Sequence, residues 1–335
     1  MVVAMKSLPW IALACCVVTL SPQSAWAAAP VQPLQLTIDD VKVDLELDAA
    51  AFQGGPESLV AWVRQCEAIV AAYYGRFPTR TLRVRVVAVD GDGVHGGRTF
   101  ARDEGGFIRV QVGRAVTQQQ LQNDWVLVHE MTHLALPDVG DEHAWLSEGL
   151  ATYVEGVARV QAGNRTQTDV FAEELHSMPR GLPEPGDQGL DHTHTWGRTY
   201  WGGAMFCLLA DVQIHRLTHD RFGLQDALRA VATASGGLVA DWPIERVLHT
   251  GDAAVGTRTL EDLYEQMKAA PVSPDLVSIW RDLGVEPAGS TVRLRDDAPH
   301  AQIRRAIMQA SRSKFCSARS LDGGRDRPEC APHQG

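Results

Sequence analysis

The chain has 335 residues, 45% of them apolar and 21% charged, which excludes a disordered or low-complexity polymer and leaves room for one large domain or two ordinary ones. With 31 basic and 41 acidic residues the formal charge is −10, which argues against general affinity for nucleic acid or an anionic membrane.

The N-terminus reads as an export signal. Lys6 precedes an apolar run at 11–20, and Ala25-Trp26-Ala27 supplies a small-x-small cleavage pattern, so residues 1–27 are expected to be removed and the chain to be periplasmic or secreted. The run is too short for a membrane span, and no later stretch approaches the ~20 apolar residues one needs. A lipoprotein signal at Cys15 is disfavoured by the order Ala12-Leu13-Ala14 before it. Four cysteines then remain in a compartment that permits disulfides: Cys66, Cys207, Cys316 and Cys330. Cys316 and Cys330 could close a small loop, and Cys66 and Cys207 read equally as buried thiols or a bridge.

Residues 34–47 alternate apolar and polar around Asp39-Asp40, the pattern of a β-hairpin. Leu59, Val63, Cys66, Val70 and Tyr73 stripe a helix at 56–74. Strands are expected at 81–89 and 107–112, with Asp90-Gly91-Asp92-Gly93 as a plain turn rather than a calcium loop. A helix at 118–136, stopped by Pro137, carries His129 and His133, and a second follows at 144–160. The Gly/Pro-rich stretch 163–197 is longer than an ordinary connection. Further helices are expected at 200–219, 224–234, 260–267 and 301–312. Strands first and helices afterwards make an α+β arrangement. Residues 28–136 form its sheet lobe with the first-histidine helix, 137–290 its helical lobe, and 291–335 a tail or helix with no functional feature.

The chemistry concentrates in His129-Glu130-Met131-Thr132-His133. Histidines four apart share one helix face. Catalytic zinc takes three N/O ligands and keeps a position for water, and a helix starting near Ala144 turns Glu148 back toward the histidines as the third. Glu130 is rotated about 100° from its neighbouring histidine and points past the metal at the water. One Zn2+ would lower the pKa of that water toward ~7, and Glu130 would serve as general base and acid. A merely solvated histidine face fits poorly with Trp125, Val128 and Thr132 around it. A structural zinc site usually has four protein ligands.

His129-Glu130-x-x-His133 followed by Trp145-Leu146-Ser147-Glu148-Gly149-Leu150-Ala151-Thr152-Tyr153 resembles the gluzincin metallopeptidases. Within them the chain is similar to the aminopeptidase-related branch that includes glycyl aminopeptidases and exported MA-like relatives. The resemblance covers roughly residues 121–230. It implies a thermolysin-like catalytic fold, Glu148 as third zinc ligand and a peptide or protein substrate. Through Tyr200-Trp201-Gly202-Gly203-Ala204 it also implies that Tyr200 stabilises the oxyanion. Glu155, two turns beyond Glu148, is a candidate to orient a ligand histidine, and His192 and His194 are candidates for substrate binding. His143 in the return loop is a weaker one.

The resemblance also implies an acidic anchor for the substrate amino terminus on a Gly-rich segment ahead of the zinc helix. The matching segment is Gly105-Gly106-Phe107-Ile108-Arg109, with Ile108 or Arg109 where the acid belongs. The strand at 107–112 is expected to be the cleft edge that pairs with extended substrate. Both points favour an endopeptidase, or a peptidase of unfamiliar exo-specificity, over an aminopeptidase. Two other readings use the same residues: a zinc-binding interaction module without catalysis, and a zinc hydrolase of a non-peptide amide.

Overall fold

The computed structural model describes residues 33–102 and 105–309; the expected export signal, Cys316 and Cys330 lie outside them. The chain opens with the expected hairpin, β1 (Leu34–Ile38) and β2 (Val41–Glu46), paired antiparallel across Asp39-Asp40. Helix α1 (Gly55–Tyr74) starts with Pro56 in its first turn and ends at Gly75 in the left-handed region, φ 82°. It is the crossover that lets β2 and β3 (Thr81–Val89) lie parallel. After β3 the chain forms β4 (Val94–Arg102) and then β5 (Gly105–Gly113), which inserts between β3 and β4. The result is a five-stranded mixed sheet in the order β1-β2-β3-β5-β4.

Strand β4 was not expected from sequence. Gly96, Gly97 and Thr99 supply no inward apolar residues, so the alternation that announces β3 is missing. Its presence corrects the reading of 107–112: that segment is an interior strand paired on both sides, and the sheet edge is β4.

One face of the sheet builds the core. Leu82, Val84, Val86, Ile108, Val110 and Val112 share a buried cluster with Leu59, Val63, Val70 and Tyr73 of α1. Each such aliphatic side chain contributes roughly 1.5–3 kcal/mol on burial.

The helix expected at 118–136 is two helices, α2 (Gln118–Asn123) and α3 (Val126–His133). The Asp124 carboxylate accepts from the Val126 and Leu127 N–H groups at 3.1 Å each, capping α3 and breaking the run. Helix α4 (Ala144–Gln161) follows as expected. The stretch 163–197 is not one long loop: α5 (Gln167–Ser177) lies within it, started by Thr166, whose hydroxyl accepts from Asp169 N–H. A π-turn (Arg198–Gly202) leads into α6 (Gly203–Thr218). Then come α7 (Leu224–Ser235), α8 (Ile244–Val255), α9 (Thr259–Met267), α10 (Leu276–Leu283), the hairpin β6 (Val285–Ala288) and β7 (Thr291–Leu294), and α11 (Ala301–Met308). Of these, α8, α10 and the hairpin were not expected. Helix α11 rests on α4, where Gln161 Nε2 donates to the Ile307 carbonyl at 2.9 Å. Cys66 and Cys207 are buried free thiols, not a bridge.

Glu67 on α1 gives a pH-dependent stability. Both carboxylate oxygens are buried without a hydrogen-bond partner, and burial, with Asp39 and Asp40 nearby, pushes its pKa up to about 7. The folded value lies above the ordinary one, so the folded state binds the proton more tightly. Stability is therefore lost as pH rises from about 4.5 through 7. Glu67→Gln is expected to gain on the parent over that window, by on the order of 1 kcal/mol at pH 8 after allowance for solvent screening. Thermal melts at pH 4.5 and 8 check it; a gap that does not widen with pH contradicts it.

Candidate active site

Helix α3 presents His129 and His133 one turn apart, and α4 brings Glu148 against them. His129 Nε2 lies 3.1 Å from Glu148 Oε2, and His133 Nε2 lies 3.5 Å from the same oxygen. One donor atom from each residue falls within 4.8 Å of the others. Two imidazole nitrogens and a carboxylate oxygen at this spacing suit a zinc ion, whereas calcium or magnesium would want an all-oxygen set. Burial alone would raise the Glu148 pKa, but the hydrogen bonds from His129 and His133 outweigh it and hold the carboxyl well below the usual range. Burial lowers the His129 pKa, with Glu148 opposing.

The surroundings fix these groups. His133 Nδ1 and Ser147 Oγ hydrogen-bond at 2.9 Å, which sets that ring's rotation. Helices α4 and α6 cross with glycine against glycine: a Cβ on Gly149 would penetrate the backbone of Gly203, and one on Gly203 would penetrate the Trp145 carbonyl. That close approach brings Glu148 beside the π-turn that carries Tyr200. Asp191 ties the return loop down, accepting from Trp145 Nε1 at 2.7 Å and Tyr264 OH at 2.8 Å. His143 Nδ1 meets the same carboxylate at 3.1 Å, a structural partner.

Glu130 is buried at 7% exposure, between α3 and the sheet edge. Thr99 on β4 donates its hydroxyl to Glu130 Oε2 at 2.6 Å and also contacts the Glu130 carbonyl at 2.8 Å. Gly97 on the same strand leaves room for this carboxylate; a Cβ there would come within 2.6 Å of Glu130 Cγ and 2.9 Å of Oε1. Thr99 therefore holds one oxygen and leaves the other for chemistry.

The Tyr200 ring stacks on His129 on one side and Trp196 on the other, with centroids at 6.2 and 5.7 Å. Burial and the Glu148 carboxylate push its phenol up to about 12, so it stays a donor at neutral pH. A cavity of about 240 Å3 opens beside His129 and Tyr200, lined in part by Trp125, Met178, Trp196, Trp201 and Glu174.

Other expected residues fall elsewhere. Glu155 orients neither histidine: its carboxylate binds Arg159 at 2.6 Å, and His129 Nδ1 is buried without a partner. His192 and His194 are exposed and do not line the cavity. Ile108 is fully buried in the sheet core and Arg109 is exposed on its opposite face, so neither stands at a substrate anchor. Sequence reasoning did not find Gly97, Thr99 or Ser147. Only Ser147 had a signal, as the neighbour of Glu148.

No protein-family model and no curated protein matches the chain in sequence. Among solved structures it is similar to an aminopeptidase N family protein from Idiomarina loihiensis, at TM-score 0.55 and 15% identity over 76% of this chain and 49% of that one. The fold is shared with that protein. An M1 zinc metallopeptidase from Deinococcus radiodurans aligns at TM-score 0.44 and 16% identity, over 72% of this chain and 52% of that one. The chain spans about half the length of both structures.

Proposed function

We propose that this chain is an exported zinc metallopeptidase of gluzincin type with a thermolysin-like catalytic arrangement. The observation that carries the reading is the meeting of His129, His133 and Glu148 beside a buried Glu130 that Thr99 holds by one oxygen. A zinc ion held by His129, His133 and Glu148 would supply a Lewis acid for the scissile carbonyl and acidify a water. Glu130 Oε1 takes the proton of the attacking water and later delivers it to the leaving amine. Tyr200 OH donates to the carbonyl oxygen as negative charge develops there, which stabilises the transition state more than the substrate. The free edge of β4 offers backbone groups to an extended peptide.

Endopeptidase action is favoured over aminopeptidase action. Strand β4, beside Glu130, carries no carboxylate between Val94 and Arg102 that would hold a substrate ammonium, and it carries Arg98 instead. Removal of residues 1–27 would deliver the enzyme to the periplasm or medium.

The test is digestion of a defined peptide mixture, read by mass spectrometry, with the protein zinc-loaded, chelator-stripped and reconstituted. Internal cuts that vanish on stripping and return with zinc are expected. Stepwise loss of N-terminal residues would replace the endopeptidase reading with an aminopeptidase. No cuts from zinc-loaded protein would overturn peptidase activity altogether.

A further inference from the structure

The sheet face opposite the core carries a cluster of arginines on β3, β4 and β5. Successive strand residues point to opposite faces. On β3, Leu82, Val84 and Val86 enter the core while Arg83 and Arg85 are exposed. On β5, Ile108 and Val110 go in and Arg109 stays out. On β4, Gly97 and Thr99 meet Glu130, which leaves Arg98, Phe100 and Arg102 on the outer face. The register sets Arg98 across from Arg109, Phe100 across from Phe107, and Arg85 alongside Arg109.

The arginines pack over the two phenylalanines. The Arg85 and Arg102 guanidinium carbons lie 5.7 and 5.1 Å from the Phe107 ring centre, and that of Arg98 lies 5.5 Å from Phe100. Glu46 pairs with Arg83 and Arg85 at 3.5 and 2.6 Å. Among the described residues no carboxylate pairs with Arg98, Arg102 or Arg109. A polar groove of about 390 Å3 continues the face, lined by Lys42, Asp44, Arg83, Arg102 and the Gly105-Gly106 backbone. Like charges set opposite each other across strands repel, and an anionic ligand relieves that repulsion. This concentration stands out on a chain of net charge −10.

We infer that the arginine face receives the acidic side chains of an extended peptide laid along β4, so that the enzyme prefers substrates with Asp or Glu at alternate positions. The inference rests on the peptidase reading above. A strand added at the β4 edge turns every second side chain to the arginine face and the others toward Glu130 and the cavity. Guanidinium groups bind carboxylates through paired N–H donors. Two other polyanions fit less well. Phe107 is 8% exposed beneath its arginines and offers no ring for bases to stack on. Phe100, 38% exposed with Arg98 against its ring, is a single apolar residue on this face, too little to anchor it in a bilayer.

Three peptides sharing one scissile bond test this: Glu at even positions counted from that bond, Glu at odd positions, and Gln at all of them. A shift of one residue moves every acid to the other face at constant charge. Binding is read by fluorescence anisotropy on zinc-loaded Glu130→Gln protein, and kcat/KM on the parent. One register is expected to exceed both other peptides by about tenfold, from a few exposed charge pairs together. That advantage should collapse in 0.5 M salt, where the screening length falls to about 4 Å. It should also disappear in Arg102→Gln/Arg109→Gln, with cleavage of the Gln peptide unchanged. Equal binding by both Glu registers would overturn the inference, as would a preference that survives the double substitution. Arginine-dependent binding of anionic vesicles or an oligonucleotide, with the peptides bound alike, would overturn it in favour of a general polyanion surface. Peptides that bind in register but are never cut would instead sink the peptidase reading.

Discussion

Glu130→Gln is expected to lower kcat/KM by about 10²- to 10⁴-fold, the range for removal of a general acid–base group, with zinc content and thermal midpoint near the parent values. The substitution keeps shape and volume. The Gln carbonyl can still accept from Thr99 Oγ1, the contact made at 2.6 Å by the carboxylate, so the buried site stays satisfied. What disappears is the atom that takes and returns a proton. Zinc stoichiometry by mass spectrometry, a melting curve and peptide kinetics on one preparation separate the outcomes. Full activity in a zinc-loaded variant would remove Glu130 from the mechanism. Loss of zinc or a large drop in melting point would make its role structural.

Gly149→Ala is expected to reverse the usual sign of a helical glycine substitution. In an unobstructed helix interior Gly→Ala stabilises by about 1 kcal/mol. Here the added methyl meets the Gly203 backbone rather than a side chain that can swing aside. Overpacking of this kind costs typically about 1–3 kcal/mol, so after the helical gain the net expectation is destabilisation of on the order of 1 kcal/mol. The functional effect should be larger than the thermodynamic one. Glu148 precedes Gly149 on α4 and Tyr200 lies just before Gly203, so separating the helices pulls a candidate zinc ligand away from the phenol. Melting curves and zinc titration measure the two effects. An unchanged or raised midpoint would mean that the helices do not approach this closely.

Much of the candidate site was legible because it lies on regular helices. His129 and His133 needed only the helical repeat, and α4 began where the Ala144 reading placed it, which brought Glu148 round. The same logic failed at Glu155. Seven residues put it on the Glu148 face but about 10.5 Å further along the axis, beyond the histidines' reach, and Arg159 one turn on captures it. Strand β4 was invisible for a reason tied to its position. Inward strand residues normally show as alternating apolar ones, and here those places are Gly97 and Thr99, chosen for contact with a carboxylate. The break before α3 is a local competition that periodicity ignores: the Asp124 side chain satisfies two N–H groups that a continuous helix would have used.

The candidate site draws on β4, α3, α4 and the π-turn, segments spread over residues 97–200. Bringing such distant stretches together costs loop-closure entropy that local helix formation does not. In a nascent or partly unfolded chain the eight-residue α3 is itself marginal, and Thr99, Glu148 and Tyr200 remain scattered from its histidines. Hydrolytic competence would then be a late event in maturation, absent while neighbouring chains are still unfolded and most open to cleavage. If the proposed activity holds, the same long-range assembly would make its loss on heating an early marker of the sheet edge and helices coming apart.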